Sequence, residues 1–340
     1  MSKIKVAVLM GGSSAERPIS LWTGKQILDA LDVEKYTVFG LDTAGSVDTP
    51  KSDDVGPAMT WDVGGEKRPV ASLSQLGMVD IETRPDVVII ALHGPGGEDG
   101  TVQGLLETLR LPYTGSGVLA SALAMDKAMT KHVLRSGGVR MPADVTLSEA
   151  EWTLRGAEFT CRIEQMGLPV VVKPNTQGST IGMTIVRKIS EFRAAVDKAF
   201  KLDQVVIVEQ FVEGVEITVP ILGNAELEIL PIVEIVPKSG FYDYEAKYTV
   251  GATEEICPAR IAPESTVEAQ RLSELSHKLL RCRGMSRTDM IVDKEGRPWV
   301  LEVNTIPGMT PLSLLPFSAK TAGYTFSALL DRLIDLALER

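Results

Sequence analysis

Cysteine is scarce: Cys161, Cys257 and Cys282 are far apart and odd in number. That excludes a disulfide framework and offers no metal-ligand spacing, so they read as core thiols in a reducing compartment. Basic residues are not in excess either. With a formal net charge of -10 and a pI near 5.0, the chain would be repelled by phosphate backbones and anionic lipids, which argues against a nucleic-acid or membrane-surface partner and for a small-molecule ligand. No apolar run approaches the roughly 18 to 20 residues that span a bilayer. The run that follows the first lysines in MSKIKVAVLM stops at Gly11-Gly12-Ser13-Ser14, short of a signal-peptide core, and reads as a first β-strand. A cytoplasmic enzyme or binding protein is the expectation. Internal repeats and low-complexity tracts are absent, and no G-x-G-x-x-G stands in a dinucleotide-binding setting.

What is present is an alternation of apolar strands and helices, with 44% hydrophobic residues in 340, enough for two or three cores. Strands at Val6–Met10, Tyr36–Leu41 and Asp86–Leu92, with helices around Ser20–Leu31 and from Thr101, predict an α/β sheet of largely parallel strands over residues 1–120. Residues 42–65, rich in Gly, Asp, Ser, Thr and Pro, read as a solvated surface loop. Gly11-Gly12-Ser13 and His93-Gly94-Pro95-Gly96-Gly97 each follow a strand and lead toward a helix, the position where open α/β sheets bind ligands. A helix Asp126–Arg135, closed by Gly137-Gly138, opens a second region. Its strands Pro169–Val172, Thr180–Val186 and Val205–Glu209 and its helix Ser190–Leu202 predict a small α+β domain. From about Gln210 come several β runs, a long helix near Glu264–Cys282, a strand pair and a closing helix near Tyr324–Glu339.

Two stretches carry chemistry. KPNTQGSTIG, Lys173 to Gly182, has the small and hydroxylated residues of a phosphate loop, but Lys173 precedes the glycines and β-type residues follow. In a P-loop the order is reversed, with lysine closing the turn at a helix start. In RTDMIVDKEGRPWVLEVN, Arg287 to Asn304, two apolar runs flank Glu295-Gly296, which suits a hairpin. A two-residue loop there sets Asp289 opposite Glu302 and Arg287 opposite Asn304, all on one face. Opposed carboxylates destabilise a sheet, and a divalent cation relieves them by taking Asp, Glu and Asn oxygens, with Mg²⁺ or Mn²⁺ favoured. The alternative is a solvated charged face, and a longer turn would slip the register. Gly308, in the stiff turn that follows, brings a bare backbone N–H close to a reacting oxygen unless it is an ordinary loop glycine.

The ordered set GGSSAERPIS, HGPGGEDGTVQG, YTGSG, AMDK, VVVKPNTQGSTIGM, VEQFVEGVEITV, FYDYEAKY, SRTDMIVD and LEVNTIPGMTPLSLLP resembles the D-alanine-D-alanine ligases of the ATP-grasp superfamily, from about residue 4 to 320. The resemblance implies an α/β fold of three-domain ATP-grasp architecture. An N-terminal open α/β (pre-ATP-grasp) domain at 1–120 would be followed by ATP-grasp subdomains at 121–209 and 210–340, the ATP-grasp region as a whole covering about 131–335. ATP would lie between the last two, with Lys127, Lys173 and Lys247 toward it, Glu209, Gln210, Phe211 and Val212 as the strand meeting adenine, and Glu216 on the ribose. From the residues alone, Lys127 reads equally as a surface lysine and Glu209–Val212 as a buried strand.

The same resemblance makes Asp289, Glu302 and Asn304 ligands of Mg²⁺ or Mn²⁺, two ions being expected, and gives Arg287 and the Gly308 N–H the oxyanion of a tetrahedral intermediate. Glu16 would bind the ammonium of the first D-alanine and join Ser179 and Tyr248 in a hydrogen-bonded set. Without the family, Glu16 is a helix-start carboxylate and Tyr248 belongs to an amphipathic strand. His93 falls on the substrate side, and Ser313 and Leu314 contact the second D-alanine. The implied reaction joins two D-alanines through a D-alanyl phosphate, for peptidoglycan, in a homodimer. The loops after Lys173 and around Tyr248 would serve as a lid. A ligase taking D-lactate or D-serine second, a non-catalytic nucleotide-binding protein of the same fold and, more remotely, a nicotinamide oxidoreductase are the competing readings.

Overall fold

The computed structural model describes residues 3–14, 16–44, 60–63, 66–72, 84–238, 251–310 and 313–339; of 60–63 and 66–72 only the backbone path is described. The apolar runs IKVAVLM and VVII form β1 (Ile4–Met10) and β5 (Val87–Ile90), neighbours in a sheet with β2 (Tyr36–Asp42), β3 (Thr60–Val63) and β4 (Glu66–Ser72) in the order β3-β4-β2-β1-β5. β1 is parallel to β2 and β5, and β2 to β4. The interior of β1 and all of β5 are buried, as strands covered on both faces require. Residues 42–65 are not simply loop: β3 lies within them and pairs antiparallel with β4 at the sheet edge. TWDV and EKRPVAS lack a clean apolar alternation, so this end of the sheet escapes pattern reading.

Helix α1 (Arg17–Ala30) carries the chain from β1 to β2, while β5 flanks β1 on its other side. The direction of strand addition therefore reverses between β1 and β5. The loops after these two strands share that crevice, with Ser14 Oγ donating to His93 O at 2.7 Å. Helices α2 (Thr101–Thr108), α3 (Val118–Met125) and α4 (Lys127–Ser136) follow.

A four-stranded antiparallel sheet, ordered β6-β9-β7-β8, comes next: β6 (Asp144–Ser148), β7 (Val170–Pro174), β8 (Thr184–Val186) and β9 (Val205–Gln210). Trp152 and Phe159 of α5 (Glu149–Met166), with Phe192 and Val196 of α6 (Phe192–Phe200), close its core. The sequence reading has neither β6 nor α5. Their local signal is the capping box, in which Ser148 Oγ accepts from Glu151 N at 3.3 Å and Glu151 accepts from Ser148 N at 3.0 Å.

The third sheet contains β10 (Gly214–Gly223), β11 (Leu227–Ile229), β12 (Val233–Pro237), β13 (Thr253–Ile256), β14 (Gly284–Asp293) and β15 (Pro298–Asn304), ordered β13-β12-β10-β14-β15 with β11 also on β10. Helix α7 (Pro263–Leu279) packs on it, as do α3 and α4, whose Ala120, Ala124 and Leu134 share a core with Ile217, Leu272 and Val300. Packing thus assigns residues near 118–141 to the six-stranded sheet, and the four-stranded sheet begins only at Asp144. Helix α8 (Leu314–Thr321) precedes α9 (Phe326–Leu338), which returns to the first sheet, where Leu329, Leu330 and Ile334 join the core of β1 and β5.

The β14–β15 hairpin departs from the two-residue loop. Asp293 N donates to Arg297 O at 3.0 Å, so Lys294, Glu295 and Gly296 form a three-residue loop. Val292 pairs with Pro298 and Met290 with Val300, one step out of the expected register. A bulge at Leu301 returns the step, and Asp289 stands opposite Glu302 and Arg287 opposite Asn304 as expected. The bulge has a physical reason. With strict alternation Val300 and Glu302 would share a face; the extra residue lets Val300 enter the core while Leu301 and Glu302 both face the cleft.

Replacing Leu134 by Ala is expected to cost about 2–5 kcal/mol. Hydrogen exchange should show lost protection in β10 and β14 with little change in β7 and β9. The opposite distribution would refute the assignment of α4 to the six-stranded core.

Candidate active site

The four- and six-stranded sheets face each other across a cleft of 820 Å³, lined from β7 by Lys173, from β9 by Glu209, and from β14 and β15 by Asp289, Leu301 and Glu302. A volume of this size suits a nucleotide-sized ligand. Gln210, Phe211, Val212, Glu216 and Lys127 line it as well, so every expected nucleotide-side residue within the described set is brought together there. Lys247 and Tyr248 lie outside the described residues.

Lys173 and Glu209 are buried. Lys173 Nζ lies 2.6 Å from Glu209 Oε1, and Lys131 Nζ lies 2.8 Å from Glu209 Oε2. Burial pushes Glu209 up, but the two ammonium groups outweigh it and hold the carboxyl down at about 2. Burial lowers Lys173, and Glu209 with Glu302 more than compensates, so its pKa is raised. Lys127 Nζ donates to Gln177 O at 2.8 Å and lies 3.5 Å from Glu302 Oε2. Its helix starts there because Asp126 caps it, accepting from Met129 N at 2.9 Å.

A second cavity, of 120 Å³, adjoins the cleft, and Gly178, Ser179 and Glu302 line both. It collects Glu16 and His93 from the strand ends of the first sheet, Arg287 and Asn304 from the hairpin, and Gly308, Ser313 and Leu314 from the segment after it. Glu16 occupies the N-cap position of α1 yet makes no side-chain cap, while Pro18 supplies the preset φ at the helix start. Its buried carboxylate instead accepts from Ser179 Oγ at 2.5 Å. Gly94 has φ +73°, and a Cβ there would meet Glu16 Oε2 at 2.7 Å, so a side chain would displace the carboxylate. At Gly308 a Cβ would lie 2.8 Å from Ser313 Oγ. Ser313 Oγ accepts from Thr310 N at 3.0 Å, and Leu314 is buried.

The turn of KPNTQGSTIG is a hairpin connection between β7 and β8. Thr176 N and Oγ1 both donate to Asp203 Oδ2 at 2.7 Å and fix its base. At its tip Ser179 and Thr180 hold left-handed φ values of 50° and 63°. Non-glycine residues pay about 1 kcal/mol each for this conformation, and here it aims the Ser179 hydroxyl at Glu16. The returning strand is shorter than the sequence suggests, starting at Thr184 rather than Thr180.

Asp289 is fully engaged. Arg287 donates two hydrogen bonds to it at 2.9 Å, Asn304 Nδ2 donates at 3.0 Å, and Thr218 Oγ1, paired across from β10, donates at 2.5 Å. Among the described residues no three His, Cys, Asp or Glu side chains converge as a metal cage. The chemistry of Asp289, Glu302 and Asn304 nonetheless fits a hard divalent cation, because all three offer oxygen donors. Such a partial set suits an ion shared with ligand phosphates.

Three neighbours escaped the sequence reading. Thr218 comes from a distant strand. Lys131 follows Lys127 by one helical turn, a spacing that would have put both on one face. Glu98 lies in the HGPGGED loop and lines the smaller cavity. Burial and the nearby Glu16 push Glu98 up to about 8, against the Gly94 N–H, Lys127 and Arg287. Burial and then Arg287 push His93 down to about 4, so its imidazole is neutral near pH 7; Nε2 shares a 3.3 Å hydrogen bond with Thr23 Oγ1.

Family models described as D-ala D-ala ligase N-terminus and D-ala D-ala ligase C-terminus match residues 5–116 and 133–335. The chain belongs to the D-alanine-D-alanine ligase family. A D-alanine-D-alanine ligase of Pelotomaculum thermopropionicum is 45% identical, over 99% of this chain and 97% of the relative. The Bacillus anthracis D-alanine-D-alanine ligase complexed with ATP superposes with a TM-score of 0.77 at 32% identity, covering 99% of this chain and 98% of that one. The VanG D-Ala:D-Ser ligase from Enterococcus faecalis gives a TM-score of 0.79 at 31% identity, over 99% and 100%. The three sheets are accordingly an ATP-grasp fold with its N-terminal α/β domain, and the family is one of ATP-using ligases.

Glu98 provides a test of the site's electrostatics. Its native pKa, about 8 against an ordinary 4.5, means that folding opposes its ionisation. Its contribution to stability is fullest below pH 4.5 and is lost as pH rises toward 8. Glu98→Gln cannot ionise, so its unfolding free energy relative to the parent should improve steadily across that window in denaturant titrations. A constant difference would show that Glu98 titrates normally.

Proposed function

We infer that this chain joins two D-alanines into D-alanyl-D-alanine at the expense of ATP, supplying the dipeptide for peptidoglycan. The observation that carries the reading is the meeting of a nucleotide-sized cleft with a small polar cavity at Ser179 and Glu302. A carboxylate and an amine do not condense in water unaided. Transfer of the γ-phosphoryl group to the first D-alanine carboxylate gives an acyl phosphate and ADP. The second D-alanine amine attacks its carbonyl, and the tetrahedral intermediate collapses with loss of phosphate.

In this reading Glu16 binds the first D-alanine's ammonium, and Ser179, joined by Tyr248, ties the lid to it. Lys127, Lys173 and Lys247 take ATP phosphates, Glu209 to Val212 meet the adenine and Glu216 the ribose. Phosphoryl transfer demands charge neutralisation and alignment more than covalent help, which the lysines and Arg287 provide. Asp289, Glu302 and Asn304 would hold Mg²⁺ or Mn²⁺, two ions being proposed, and such ions would supply charge neutralisation at phosphate oxygens. Arg287 and the Gly308 N–H stabilise the oxyanion, while His93, Ser313 and Leu314 orient the second D-alanine. Water is excluded when the lid covers the acyl phosphate.

Three domains are proposed: the N-terminal α/β unit, the four-stranded subdomain and the six-stranded one. A homodimer is supported by Leu105, Val118 and Leu119, exposed apolar residues on the adjoining helices α2 and α3. The cytoplasm, where ATP is available, is the proposed compartment.

Purified protein with ATP, Mg²⁺ and D-alanine should release phosphate and yield D-alanyl-D-alanine by mass spectrometry. Phosphate release that D-alanine does not stimulate would overturn the reading; a dominant product with D-serine or D-lactate would reassign the second substrate. Ser179→Ala should lower kcat roughly 10- to 100-fold while KM for ATP stays within about twofold. Loss of ATP affinity alone would contradict the linking role.

A further inference from the structure

Lys131 is a buried cation that none of the roles above uses. It is 1% exposed and does not line the cleft. Its ammonium lies 2.8 Å from Glu209 Oε2 and 3.7 Å from Asp144 Oδ1, and donates to Pro142 O at 3.4 Å. Asp144 has a second partner in Arg135 of the same helix, and it stands directly across the sheet from Glu209. Glu209 therefore faces two cations, Lys173 on β7 at one carboxylate oxygen and Lys131 on α4 at the other, with the Asp144 carboxylate beside it on β6.

This arrangement bears on how a polyphosphate can take Lys173. In the structure Lys173 is committed to Glu209 at 2.6 Å. A phosphate that recruits Lys173 competes with that partner for the ammonium, and a buried carboxylate that loses its only counter-charge costs several kcal/mol. We propose that Lys131 is a positioning residue for nucleotide binding: it stays on Glu209 while Lys173 transfers to phosphate, so the buried carboxylate is never left unpaired. The proposal rests on the reading that Lys173 serves ATP phosphate. It goes further in making Lys131 the residue that lets the exchange proceed at constant protonation.

Without Lys131, Glu209 has Lys173 alone. Releasing that lysine then requires Glu209 to take up a proton, so nucleotide binding becomes weaker and acquires a proton linkage. Calorimetric binding of the non-hydrolysable analogue AMPPNP with Mg²⁺, in two buffers of different ionisation enthalpy, reads both effects. Lys131→Met should weaken binding roughly 10- to 100-fold and bind about one more proton than the parent, with the deficit shrinking as pH is lowered. Lys131→Arg should restore most of the affinity without the extra proton. In a Glu209→Gln background, where no charge can be stranded, adding Lys131→Met should cost little, and this pair remains informative if the single variant folds poorly.

Lys173→Met separates the two layers. If it binds the analogue as well as the parent does, the reading of Lys173 falls. If Lys173→Met loses affinity while Lys131→Met binds normally and only melts earlier, Lys131 is merely structural and the inference is overturned. Weakened binding by Lys131→Met with no added proton, or an equal penalty in the Glu209→Gln background, would overturn it as well.

Discussion

Asp289 and Glu302 stand directly opposite each other on one face of a hairpin, and the site is organised around that unfavourable pair of like charges. Neither carboxylate is left uncompensated. Arg287 and Thr218 take Asp289 from its own strand and the next, and Lys127 approaches Glu302 from a helix that precedes the sheet by many residues. The same principle repeats one layer away, where Glu209 sits between Lys173 and Lys131. Charges of both signs alternate from Lys131 and Glu209 through Lys173 across the cleft to the hairpin. Such a lattice can receive an anionic ligand by exchanging partners rather than by creating bare charges.

The scaffold explains why these groups hold their places. Those on strands, Lys173, Glu209, Arg287, Asp289 and Glu302, belong to paired segments with Val172, Val208, Met290 and Val300 packed beneath them. Of the groups toward the small cavity, Glu16, His93 and Glu98 come from loops at the crevice where the first sheet reverses its direction of growth. Ser179 bridges the two kinds of support from a turn in a costly left-handed conformation. Its hydrogen bond to Glu16 ties the turn to the small cavity.

The hairpin illustrates how far local rules reach. Alternation and turn chemistry place Arg287, Asp289, Glu302 and Asn304 on one face, and the structure agrees. It arrives there by another route, a three-residue loop compensated by a bulge at Leu301. The apolar pattern contains the clue: Val300 and Val303 both enter the core, which strict alternation forbids. At the β3–β4 end of the first sheet the pattern failed, because β3 is short and β3 and β4 lack apolar alternation. Likewise β6 and α5 were announced only by a capping box, a single-turn signal easily passed over.

The motifs, the residue types fit for phosphate and carboxylate chemistry, and the hairpin face were legible in the chain, since each depends on spacings of a few residues that backbone geometry converts directly into direction. The identity of the counter-charges was not. Thr218, Lys131 and Glu98 matter through distances of a few ångströms between segments far apart in sequence, and Coulomb interaction and burial follow separation in space. Only the packing of three sheets brings Glu16 to Ser179, sets Lys131 against Glu209, and pushes the Glu98 carboxyl up by burial and the nearby Glu16.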